Sequence, residues 1–117
     1  MPRRDARMYL ADIRVAADRI ADRTRGRTFE QFAADEDLRL IVERSFEIIG
    51  EALRHAIVAD PSLETAISES KRIIRFRNVL IHAYDLVDHT IVWDVIRVDL
   101  PTLRAEVEAL LAQLGGA

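Results

Sequence analysis

Apolar residues recur at intervals of three and four along most of this chain, the spacing that lays a single stripe down an α-helix. Between Asp5 and about Thr24 the stripe is Tyr9, Leu10, Ile13, Ala16, Ala17 and Ile20, and Gly26 offers a stop. Thr28-Phe29-Glu30-Gln31 has the capping-box pattern for a short turn of helix, and Asp35 is placed to cap the next helix. The longest periodic stretch runs from Glu36 to about Val58, with Leu38, Ile41, Val42, Ser45, Ile48, Ile49, Ala52, Leu53 and Ala56 on one stripe, and predicts a long core helix. Gly50 lies inside it at a cost of about 1 kcal/mol relative to Ala, so the position predicts close approach by a neighbouring helix or a second subunit.

Asp60-Pro61-Ser62 ends that helix, because proline biases the residue before it away from helical angles. A short element around Leu63 to Ile67 comes after it. The next helix is expected from about Glu69 to Tyr84, with Ile73, Ile74, Leu80 and Ile81 facing the core. Asp85-Leu86-Val87-Asp88 breaks the pattern and carries two potential caps. Helix resumes near His89, and Asp99-Leu100-Pro101 is expected to start a last one, in which Leu103, Val107, Leu110, Leu111 and Leu114 point inward until Gly115-Gly116. These lengths predict an all-α four-helix bundle with short additional helices, one domain over residues 1–117.

Composition narrows the chemistry. The chain has no cysteine, which removes disulfides, thiolate zinc sites and cysteine nucleophiles and fits a reducing cytoplasm. No apolar run approaches a membrane span, and Met1-Pro2-Arg3-Arg4-Asp5 does not open a signal peptide, so a cytoplasmic protein is expected. A net charge of −3 argues against coating nucleic acid through bulk charge. The distribution matters more: Lys71, Arg72, Arg75 and Arg77 crowd a stretch that contains no acid, a local patch able to hold an RNA backbone. For Lys71 and Arg72 a solvated helix face is the alternative.

The stretch Arg77-Asn78-Val79-Leu80-Ile81-His82-Ala83-Tyr84 places four polar groups in an otherwise apolar segment. Arginine is permanently charged and suits a phosphate, and histidine can both take and give a proton near neutrality. Asparagine adds an orienting amide and tyrosine a hydroxyl. On a helix, Arg77 and Tyr84 share a face, whereas His82 lies about 140° round from Arg77 and is nearly aligned with Asn78. One helix does not converge these groups; the same helix of a second subunit across a two-fold axis would. His55 and His89 lack ligand-like spacing and read as surface or core residues. Trp93 reads as an anchor of the penultimate helix, with base stacking as the alternative.

The eight residues resemble the Arg-x-x-x-x-His motif of HEPN ribonucleases, and in particular the Arg-Asn-x-x-x-His-x-Tyr form of the HepT toxins. The resemblance extends to Phe46-Glu47-Ile48-Ile49-Gly50-Glu51-Ala52 upstream, and to Val92-Trp93-Asp94-Val95 and Leu100-Pro101-Thr102-Leu103 downstream. It implies a homodimeric HEPN-like bundle, open to higher assembly, acting as a metal-independent endoribonuclease with no cofactor. It also implies a toxin of a type VII-like HEPN/MNT toxin-antitoxin system, whose partner nucleotidyltransferase antitoxin transfers AMP to Tyr84. Arg77 and His82 are then the catalytic pair, Asn78 and Glu47 their supports, and Lys71, Arg72 and Arg75 the RNA contacts. A tyrosine merely packed at the helix end is the alternative for Tyr84. The competing function is a non-catalytic helical subunit that binds a nucleotide or docks a nucleotidyltransferase; it would not need His82.

Overall fold

The structure is a computed structural model and describes residues 5–115, the side chain of Tyr84 excepted. Among them every regular element is a helix. Helix α1 spans Ala6–Thr24 and is capped by the Asp5 carboxylate, which accepts from the Met8 N–H at 3.0 Å. Gly26 closes it with φ of 75°, a left-handed conformation that glycine adopts without strain. Helix α2, Phe29–Ala34, begins with the expected capping box between Thr28 and Gln31. Asp35 then caps α3, Glu36–Ala59.

Helix α3 is the central rod. Its buried side chains include Leu38, Val42, Phe46, Ile49, Leu53 and Ala56, against which α1 packs along Leu10, Ile13, Ala17 and Ile20. Each large aliphatic side chain fully withdrawn from water contributes about 1.5–3 kcal/mol. Asp60 and Pro61 end α3, and the short α4, Leu63–Ala66, leads into α5, Ser70–His82. Helix α5 lies on α3 through Ile73, Phe76 and Leu80, with Phe76 meeting Phe46 edge to face at 5.2 Å.

Two of the core positions expected on α5 differ. Ile74 is half-buried and Ile81 is 37% exposed, because α5 turns the stripe carrying Phe76 to α3 and leaves Ile81 on the wall of an open cavity. Leu114 likewise ends exposed, at the C-cap of the last helix.

A 3-10 turn, Tyr84–Leu86, comes after α5, and Asp88 caps α6, His89–Asp94. The last helix starts at Leu100, as expected, but the Asp99 side chain does not cap it and no loop precedes it. Instead a π-helical turn, Val95–Asp99, joins α6 to α7, Leu100–Gln113, in one rod. Pro101 has no N–H to give the carbonyl four residues back, and the chain widens ahead of it, with the Leu100 N–H bonding to the Val95 carbonyl. Trp93 is half-buried against Phe32 and Phe29, at 5.3 and 6.4 Å between ring centres, as an anchor of this rod. Arg104 of α7 binds Asp18 of α1 at 3.0 Å and closes the bundle. No helix among the described residues is long and apolar enough to cross a membrane.

Candidate active site

Arg77 reaches its position because Gly50 lets it. A β-carbon on Gly50 would stand 2.3 Å from the Arg77 Cβ and 2.6 Å from its Cγ, so α5 approaches α3 at a distance only glycine allows. The close approach expected at Gly50 is therefore made by a helix of the same chain. The stem of Arg77 lies over Gly50, and its head meets the next residue: Nη2 donates to the Glu51 Oε2 at 2.5 Å. Nη1 donates to the Asn78 Oδ1 at 2.8 Å, and Nε is buried without a partner among the described residues. With 18% of its side chain exposed, this guanidinium is fixed in direction but still open to a ligand.

The carboxylate set against Arg77 is thus Glu51. Glu47, expected from the resembling segment, stands one turn earlier on α3 and pairs instead with Arg44 at 3.3 Å, though it lines the same cavity. Register decides this: the helices cross at Gly50, and the residue beside the crossing meets the guanidinium. Glu51 also faces the His55 Nε2 at 2.8 Å and Arg54 at 3.4 Å. Burial alone would raise its carboxyl, but the His55 hydrogen bond and the Arg77 and Arg54 charges outweigh this and hold it below the usual range. His55 in turn stacks on Tyr9 of α1, with rings 5.3 Å apart and 16° from parallel. These groups and Asp12, Arg44, Ile48 and Ile81 line a cavity of about 380 Å³ between α1, α3 and α5.

The rest of the motif faces another way. Lys71, Arg75, Asn78 and His82 recur at four, three and four, which aligns them on one face of α5, about 130° round from Arg77. His82 is the last residue of the helix, exposed, and makes no hydrogen bond or ion pair among the described residues. Lys71, Arg75 and Asn78 line a second hollow of about 460 Å³ with Ile74, Val58 and Arg54. Asn78 joins the two faces, since its side chain belongs to the second hollow and its amide oxygen holds Arg77. Tyr84 opens the 3-10 turn beyond His82, and its side chain lies outside the described residues.

The basic patch divides. Arg75 is exposed, with no ion pair among the described residues, and Lys71 makes only a surface pair with Glu64 at 3.4 Å. Arg72 is engaged elsewhere: it pairs with Asp94 at 3.5 Å and with the buried Asp99 at 3.3 Å. Asp99 is 3% exposed, and burial raises its carboxyl against the lowering effect of Arg72. Arg72, expected as an RNA contact, thus ties the start of α5 to the π-helical turn. Among the described residues no cluster of three His, Cys, Asp or Glu could hold a metal ion.

Two members of this arrangement, Glu51 and His55, lie outside the set of site residues that the sequence suggests. The visible signal is their spacing: an acid and a histidine four apart share a helix face.

Comparison with known proteins adds the family. The chain is 35% identical over 108 residues to "Probable ribonuclease HepT" of Thermococcus cleftensis, covering 92% of this chain and 97% of that one. It is 32% identical over 108 residues to "Putative RNase MJ1380" of Methanocaldococcus jannaschii, covering 92% and 98%. A second protein of that organism, "Putative RNase MJ0127", is 32% identical over 116 residues, covering 99% and 95%. No solved structure matches the chain significantly. The family model described as "Ribonuclease HepT-like" matches residues 13–110, a span that holds Gly50, Glu51 and the whole of the Arg77 to Tyr84 motif, and the chain belongs to the HepT-like ribonuclease family.

Proposed function

We propose that this protein is a metal-independent endoribonuclease that works as a homodimer and serves as the toxin of a HEPN/MNT toxin-antitoxin pair. The observation that carries the reading is the division of labour on α5: Arg77 is held by Glu51 and Asn78 as a fixed cation, and His82 stands exposed at the end of the same helix.

The chemistry needs those two groups. The ribose 2′-oxygen attacks the adjacent phosphorus, a 2′-O–P bond forms, and the P–O5′ bond breaks. One imidazole takes the 2′-hydroxyl proton and an acid returns a proton to the leaving 5′-oxygen, while the guanidinium bears the charge that builds on the phosphoryl oxygens. The products are a 2′,3′-cyclic phosphate and a 5′-hydroxyl. Because Arg77 and His82 sit on different faces of one helix, a second copy of α5 across a two-fold axis is the economical way to complete the site and supply the second His82. Exposed apolar Val79 and Ile81 on α5 and Val58 on α3 offer apolar surface to such a contact. Arg75 and Lys71 extend the phosphate track.

Tyr84, two residues past His82, is the proposed acceptor of AMP from the partner nucleotidyltransferase. The added phosphodiester charge would occupy the Arg77 region and repel RNA.

The test is cleavage of a defined RNA by the purified chain in excess EDTA, with Arg77→Ala and His82→Ala beside it and the product ends identified. Cutting that persists in EDTA, leaves cyclic phosphate and vanishes in both variants is the expected result. A folded wild type free of AMP that cuts nothing would overturn the reading and point to the nucleotide-binding or antitoxin-docking subunit.

A further inference from the structure

Glu51 stands between cations on both of its oxygens. Oε2 accepts from Arg77 at 2.5 Å, and Oε1 faces the His55 Nε2 at 2.8 Å and Arg54 at 3.4 Å. His55 cannot drift far, because its ring is stacked on Tyr9 of the neighbouring helix. The charged groups around it are Glu51 and Arg54 of its own helix, Asp12 of α1 and Arg77 of α5, with Arg44 and Glu47 on the same cavity lining. A protonated imidazole is a charge-assisted donor, and strengthening the bond at one carboxylate oxygen withdraws charge from the other.

We propose that His55 is a positioning residue for Arg77 that acts through Glu51: a proton on His55 draws the carboxylate to the imidazolium and releases the guanidinium to an incoming phosphodiester. With His55 neutral, Glu51 stays on Arg77 and the cation already carries its counter-ion. By linkage the effect runs both ways, so an anion on Arg77 favours the proton on His55. Only the identity of the anion, an RNA phosphodiester, rests on the ribonuclease reading; the coupling of His55, Glu51 and Arg77 does not.

Two measurements test it. The first is binding of a 2′-O-methyl RNA oligonucleotide, which lacks the attacking hydroxyl, in a His82→Gln background that removes the motif imidazole. Binding should tighten about fivefold between pH 7.5 and pH 5.5, and adding His55→Gln should flatten that dependence. The second is the NMR titration of the His55 ring in wild type and in Arg77→Met, which keeps a stem over Gly50 but loses the charge. The midpoint should rise in Arg77→Met, because Glu51 is then left to His55 and Arg54. Equal midpoints, or an unchanged pH dependence in His55→Gln, would overturn the proposal. The NMR measurement needs no cleavage, so a chain that cuts no RNA but shows the raised midpoint loses the ribonuclease reading and keeps this one.

Discussion

Gly50 and Arg77 are in direct backbone-to-stem contact: the missing side chain of one is the seat of the other. Gly50→Ala gains about 1 kcal/mol of helix propensity but places a methyl group where the Arg77 stem lies. Overpacking of this kind costs about 1–3 kcal/mol, and here it must also displace the guanidinium from Glu51. The expected result is a lower melting temperature together with a loss of RNA cleavage larger than the loss of fold explains. Thermal unfolding and single-turnover cleavage on the same preparation check it.

Glu51→Gln tests the ionic part of the arrangement. The folded carboxyl lies below its ordinary value near 4.5, so its contribution to stability is present above that pH and is lost as pH falls through the folded value. Because the side chain is 38% exposed, solvent screening limits the effect to about 1 kcal/mol. Denaturant unfolding should find the variant weaker than wild type at pH 7, with the two converging in acid.

Arg72 and Arg75 should separate cleanly. Arg72→Ala leaves the buried Asp99 carboxylate without its cation and is expected to cost about 2 kcal/mol at pH 7, the discount reflecting an arginine half in water. Asp99 has a raised folded pKa, so stability linked to it is full below the unfolded value and is lost as pH rises through the folded one. The penalty of Arg72→Ala should therefore shrink on acidification. Arg75→Ala should leave unfolding unchanged within about 0.5 kcal/mol and weaken RNA binding with a shallower salt dependence. Denaturation and salt-dependent binding curves on both variants decide it.

His82→Ala removes an exposed side chain with no hydrogen bond or ion pair among the described residues. Stability should change by less than about 0.5 kcal/mol, whereas cleavage should fall by about 10²- to 10⁴-fold, the usual worth of a positioned acid or base. A melting curve and a rate on the same sample give the comparison.

The helices are legible in the sequence because their signals are local. Asp5, Thr28, Asp35 and Asp88 cap the elements they precede, and the apolar stripes of α1 and α3 need only neighbouring residues to be read. The start of α7 at Asp99-Leu100-Pro101 is legible for the same reason, but its continuity with the preceding turn is not. Asp-Leu-Pro looks like a helix start, and only the packed rod makes a π-turn the better solution. The motif itself stands out, but its wiring does not. Choosing between Glu47 and Glu51 requires knowing where α3 and α5 cross, and choosing between water, RNA and Asp99 for Arg72 requires knowing that α5 starts beside the turn before α7. Both are facts of tertiary geometry, and Gly50 is the one residue that hints at the first.

The Arg72 link to Asp94 and Asp99 makes α5 a beam clamped at its root. Its root is clamped to the π-turn, its middle is bedded on Gly50 and Phe46, and past the buried Leu80 the exposed His82 ends it ahead of the 3-10 turn that leads to α6. Arg77 is thus aimed by contacts with α3 and His82 by its own helix alone, so lengthening the turn after His82 should be tolerated where inserting a single residue before Arg77 would swing the cation off its seat.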